Sequence, residues 1–125
     1  MQQPVTFETV SQMIWQHMEA RDWHTNPPRG LATSIVLEAA ELLEHYQWSD
    51  KAAGTREDLA AELADIFIYA FHFAESQEID IVEAIQLKLQ KSAQKYPAEK
   101  FKGQKTKDMR KVWLDTKLQY KKTGL

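Results

Sequence analysis

Apolar residues recur along this chain at three- and four-residue intervals, and the pattern predicts helices throughout. No segment alternates with a period of two, no Asn-Gly hairpin signal occurs, and glycines are few. A first helix is expected from Phe7 to about Arg21, with Val10, Met13, Ile14 and Met18 as its apolar stripe. Pro27 and Pro28 interrupt the chain. A second helix follows from Gly30 or Leu31 to Gln47, then a short loop from Ser49 to Thr55. Thr55 is a natural N-cap for a third helix, Arg56 to Ser76, whose first turn holds Glu57 and Asp58. Asp80 and Glu83 have capping-box spacing before a fourth helix that ends ahead of Pro97. Lys105 to Lys122 predicts a fifth.

The third helix is apolar on nearly every side, through Leu59, Leu63, Ile66, Phe67, Ile68, Ala70, Phe71 and Phe73. Such a helix is expected to be buried on most sides. The other helices are too short to cover it within one chain. A homo-oligomer is therefore expected, most simply a two-fold dimer, with a homotetramer the alternative.

Two acidic pairs interrupt these apolar stretches: Glu38 with Glu41, and Glu62 with Asp65. Their i, i+3 spacing puts each pair on one helical face. From Leu59 to Ala74 the only other strongly polar residue is His72, with Tyr69 amphipathic. Carboxylates in such surroundings are costly unless neutralised. Two of them about 5 Å apart repel by roughly 3 kcal/mol at an effective dielectric near 20. Four together point to a hard divalent cation, usually Mg²⁺. Each pair lies about 10 Å of helix from the same short loop, so antiparallel second and third helices would bring them to matched height.

The stripes around the acids extend the picture. Ser34, Glu38, Glu41, His45 and Trp48 align on the second helix, and Asp58, Glu62, Asp65, Tyr69 and His72 on the third. Lys88, Ser92 and Lys95 align on the fourth, followed by Tyr96 and Pro97. Acids for a cation, lysines for phosphate charge and an indole for a base are what a metal-bound nucleotide polyphosphate requires. A ferritin-like di-iron bundle would need Glu-x-x-His on two helices. Here Ile14, Arg21, Leu42 and Tyr69 stand three residues before the four histidines, which sets that reading aside.

Charge and composition narrow the classes further. The 125 residues fit one modest core. Without cysteine there is no disulfide framework, thiolate metal site or cysteine nucleophile. No apolar run reaches membrane-spanning length and no secretory signal opens the chain, so a cytoplasmic protein is expected. Residues 100–122 hold nine Lys and Arg against Asp108 and Asp115, although the whole chain has a net charge of −2. This basic segment can fold onto an acidic body or engage an anion.

The residues resemble the MazG family of all-α nucleoside triphosphate pyrophosphohydrolases, its dCTP-pyrophosphatase-like branch above all. The likeness runs from about Arg21 to Pro97. It rests on Arg21-Asp22-Trp23, Pro28-Arg29-Gly30-Leu31, the block from Glu38 to Glu44 with Gln47-Trp48, Glu62 through Tyr69, and Lys88, Lys95, Tyr96 and Pro97. The resemblance implies an all-α, four-helix bundle over residues 1–97, with a basic helical extension over 98–125 packing on the same domain or a partner subunit. It implies Mg²⁺-dependent hydrolysis of a nucleoside triphosphate, with a deoxynucleotide expected, to monophosphate and pyrophosphate, as house-cleaning of the nucleotide pool. The metal-binding acids carry over to Glu38, Glu41, Glu62 and Asp65. Glu41 and Glu38 are the catalytic candidates, with Glu41 as general base. Lys88, Lys95 and Tyr96 are the phosphate-binding candidates, and Trp48 and Trp23 the base-binding ones. Two departures bear on selectivity. Thr25-Asn26-Pro27-Pro28-Arg29 stands where the branch has a Phe-His-x-Pro-Arg/Lys stretch, and Ser92 stands where the family has Asn. The competing expectations are a non-catalytic nucleotide-binding module and a nucleic-acid-associated helical protein using the basic tail. The intact acids favour the enzyme, and neither membrane nor nucleic acid is expected as a partner.

Overall fold

The structure, a computed structural model, describes residues 4–124, without the side chains of residues 106 and 107. All regular structure among the described residues is helical. The elements are α1 (Phe7–Glu19), a 3-10 turn (Trp23–Thr25), α2 (Pro28–Glu44), α3 (Arg56–Ser76), α4 (Ile81–Lys95), α5 (Ala98–Phe101) and α6 (Thr106–Thr123). The chain divides into two compact units, Met1–Ile81 and Val82–Leu125.

In the first unit α2 and α3 form the most extensive helix pair, and α1 packs on α3. The start of α2 is set by its prolines. Pro27 is extended at the N-cap and Pro28 occupies the first turn, where a missing N–H costs nothing. The helix thus begins two residues earlier than the hydrophobic pattern suggests. It also ends earlier, at Glu44. The His45 N–H turns back to the Leu42 and Leu43 carbonyls, tightening the last turn into 3-10 geometry. Trp48 therefore lies beyond the helix rather than on the stripe of Glu38 and Glu41, and its ring is 90% exposed.

The bounds of α3 match the expectation, and Thr55 caps it. The Thr55 hydroxyl accepts from the Asp58 N–H at 3.2 Å, while Asp58 Oδ2 accepts from the Thr55 N–H at 2.8 Å. Asp58 thus does more than complement the helix dipole: it closes a capping box. At the other end the Ile79 N–H reaches the Ala74 carbonyl at 2.8 Å and the Glu78 N–H reaches Glu75 at 3.2 Å, a Schellman arrangement. The residue in the left-handed position is Glu78, at φ 56°, where glycine would be free of the Cβ penalty.

Met18, Leu31, Phe71 and Ala74 form the buried apolar core, together with His72 at 1% exposure. Phe7 stacks on Phe71 at 5.9 Å, and the Ser11 hydroxyl donates to Glu75 at 3.3 Å, fixing α1 against α3. Burial of α3 on most sides is not what this chain achieves. Leu63 is 47% and Phe67 51% exposed, because α1 and α2 cover only part of its circumference.

In the second unit α5 packs on α6. Tyr96 stacks on Trp113 at 6.4 Å and meets Phe101 edge-on at 5.9 Å. Lys95 Nζ sits 4.5 Å from the Tyr120 ring centre and 5.2 Å from that of Tyr96, and Lys117 Nζ lies 4.7 Å from Trp113. Part of the basic segment is thus spent on aromatic faces within its own unit. Short α5 has no counterpart among the sequence expectations. No helix among the described residues is long and apolar enough to cross a membrane.

Candidate metal and nucleotide site

Helix α2 carries Glu38 and Glu41 one turn apart, and α3 carries Glu62 and Asp65 with the same spacing. The hairpin between them brings all four carboxylates together. Each offers one oxygen to a cluster in which every such atom lies within 4.8 Å of the others. The matched height expected from their distances to the loop is observed.

The electrostatics of the cluster are those of crowded acids. Burial raises the Glu38 carboxyl above its ordinary pKa, helped by a proton-sharing contact with Glu41 and by repulsion from Glu41, Asp65 and Glu62. Glu38 Oε2 is buried with no hydrogen-bond partner. An unpartnered buried oxygen among four carboxylates fits a hard divalent cation, which would neutralise all four at once.

A basic group borders the cluster. His45 Nε2 lies 3.6 Å from Glu62 Oε1, the two side chains being 16% and 24% exposed. The opposite edge of the imidazole rests against Gly54, where an added Cβ would fall 2.6 Å from Cε1 and 2.7 Å from Nδ1. Gly54 is needed here for space and not for backbone conformation, since its φ is not positive.

Beside the acids α1, the 3-10 turn and α3 enclose a cavity of about 670 Å³. Asp65 and Tyr69 form part of its α3 wall, Trp23 and Asn26 come from the turn region, and Met13 and His17 from α1. Asp65 belongs to both the cluster and the cavity. Trp23 is held on two sides, edge-on to His17 at 6.2 Å and under the Arg21 guanidinium at 5.9 Å. His72 also lines the cavity, packed edge-on to Trp15 at 5.9 Å. Neither His72 ring nitrogen has a well-aligned hydrogen-bond partner. Burial lowers its pKa from the ordinary 6.5, with the His24 backbone pulling weakly the other way.

Of the residues singled out from the sequence, the structure unites Glu38, Glu41, Glu62 and Asp65 and sets Trp23 in the adjoining wall. Trp48 does not line this cavity. Lys88, Lys95 and Tyr96 belong to the second unit, where Lys95 and Tyr96 contact each other and the aromatic residues of α6. Sequence reasoning passed over Met13, His17 and Asn26 as site residues. His17 carried a signal: it follows Met13 by four positions, a polar group on the apolar face of α1. Gly54 carried none beyond its place in a loop.

Comparison with known proteins agrees with this geometry. The MazG-like family profile matches residues 33–109, more than half of the chain. The chain is 31% identical to dCTP pyrophosphatase 1 of Mus musculus over 107 residues, covering 78% of this chain and 63% of that protein. It is 30% identical to the Homo sapiens protein of the same name over 102 residues, covering 74% and 60%. The chain thus spans under two thirds of the length of these relatives. A crystal structure of a pyrophosphatase from Archaeoglobus fulgidus superposes with a TM-score of 0.66 at 30% identity, over 78% of this chain and 97% of that one. The acidic pairs that the α2–α3 hairpin brings together fall within the matched segment, and the chain belongs to the MazG-like family, resembling its dCTP-pyrophosphatase branch.

Proposed function

We propose that the chain hydrolyses a nucleoside triphosphate, most readily a deoxynucleotide, to the monophosphate and pyrophosphate. The observation that carries this reading is the continuity of the four-carboxylate cluster with an aromatic-walled cavity through Asp65. Such a pairing suits a ligand with a polyanionic end and a flat apolar end. Glu38, Glu41, Glu62 and Asp65 would hold Mg²⁺, which when bound supplies Lewis-acid neutralisation of phosphate charge.

The chain's own groups do the rest. Glu41 accepts the proton of the attacking water. The water oxygen bonds to the α-phosphorus, the bond from that phosphorus to the bridging oxygen breaks, and pyrophosphate leaves with the bonding pair. Glu38, three residues before Glu41 on α2, is the second catalytic candidate. Trp23 and Tyr69 flank the base, with Trp23 held in orientation by His17 and Arg21. The exposed Trp48 indole is assigned to base stacking as well, and Lys88, Lys95 and Tyr96 to phosphate on the strength of the Lys-Tyr-Pro motif. A house-cleaning role in a cytoplasmic nucleotide pool is part of the same proposal, and it rests on the likeness to the MazG family alone.

The exposed apolar side chains Leu37, Leu43, Leu63 and Phe67 support self-association, as a homodimer or homotetramer. Product analysis tests the catalytic reading. A panel of triphosphates incubated with Mg²⁺ and separated by ion-exchange chromatography should yield monophosphate and pyrophosphate in equal amounts. Diphosphate with inorganic phosphate would contradict attack at the α-phosphorus.

A further inference from the structure

We infer that His45 is a positioning residue for Glu62, and that Gly54 is present to seat its ring. The inference rests on the metal-site reading of the four acids and adds to it a group on which that reading does not depend.

The ring is held on several sides. The Ala53 N–H donates to the His45 carbonyl at 2.8 Å, so the loop backbone is pinned over the end of α2. Gly54 then passes so close to the imidazole that any Cβ would lie 2.6 Å from Cε1 and 2.9 Å from Asp58 Oδ2. Asp58 yields only by loosening its capping box, because the same oxygen accepts from the Thr55 N–H at 2.8 Å and its hydroxyl at 3.0 Å. The ring faces Glu62 Oε1 with Nε2, at 3.6 Å.

Glu62 has a flexible side chain that can turn to solvent, and a carboxylate serves a cation best when it is pre-aimed. An imidazole nitrogen held by the loop 3.6 Å from Oε1, an ion-pair distance that a small side-chain movement closes to a hydrogen bond, supplies that restraint from outside the ligand set, the place that neighbours of metal ligands commonly occupy. A purely structural histidine would only fill the space under the loop. The two roles separate by chemistry: leucine fills comparable space without a donor, whereas glutamine restores an N–H.

The test is calorimetric titration of the full chain with Mn²⁺, without nucleotide, on variants whose helicity matches wild type. His45→Leu should lower Mn²⁺ affinity about 10-fold or more, and His45→Gln should recover most of the loss. Gly54→Ala should lower affinity by displacing the ring, and by clearly less in a His45→Ala background, where only the contact with Asp58 Oδ2 remains. Wild-type affinity in His45→Leu, alongside loss in Glu62→Gln, would overturn the positioning role and leave the metal site standing. A Gly54→Ala loss undiminished without the ring would show that the glycine serves the loop alone and overturn its part. Wild-type affinity in Glu62→Gln would instead bring down the metal-site reading, and this inference with it.

Discussion

Asp65 and Trp23 line the same cavity, and the Asp65 carboxylate is at the same time a member of the four-acid cluster. One residue thus joins the charged end of the site to the aromatic end. The two ends should be separable by mutation, since a base platform contributes affinity without touching the cation.

Trp23→Ala should weaken binding of a non-hydrolysable triphosphate about 5- to 150-fold, the range that corresponds to 1–3 kcal/mol per stacked base. Mn²⁺ affinity without nucleotide should stay unchanged. Trp48→Ala should lower triphosphate affinity while leaving the melting temperature untouched, because an indole 90% exposed caps no core in this chain. Unchanged affinity in either variant, measured by fluorescence titration, would remove that tryptophan from the site.

His72 gives a pH dependence with a definite sign. Its pKa is lowered in the folded chain from the ordinary 6.5, so below 6.5 the unfolded chain binds more protons than the folded one. Stability contributed by the neutral buried ring is complete above the unfolded pKa. It is lost progressively as pH falls from there through the folded value. Thermal melts between pH 8 and about 5 should show wild-type stability dropping on the acid side, with a shallower drop in His72→Leu. Parallel profiles would contradict this account of the ring.

The ends of α3 offer a second stability test. Glu78 holds the left-handed position of the Schellman motif, and relieving its Cβ strain should be favourable. Glu78→Gly is expected to stabilise the fold by about 1 kcal/mol, less the entropy that glycine adds to the unfolded chain. Urea denaturation measures it; a loss of stability would mean that the Glu78 side chain contributes more than its backbone costs.

Much of the site was legible in the sequence because it depends on local spacing. Glu38 with Glu41 and Glu62 with Asp65 each follow from one helical turn, and their meeting follows from a short loop at equal distance from both. Thr55 announced the start of α3 by its chemistry. What failed depended on contacts that spacing does not encode. The 3.6-residue pattern of α2 continues in the sequence past Glu44, but the 3-10 closure at His45 and the bond from Ala53 turn the chain away and carry Trp48 off the stripe. The apolar girdle of α3 predicts burial whatever the covering surface is. Within one chain that surface is incomplete, and Leu63 and Phe67 are left half exposed.

The central claim is that the four acids form one metal-dependent hydrolytic site. Pyrophosphate release from a triphosphate panel with Mg²⁺, compared between wild type and Glu62→Gln at matched helicity, tests it most directly. The account predicts release by the wild type and none above background by the variant. Pyrophosphate release by Glu62→Gln at the wild-type rate would contradict it.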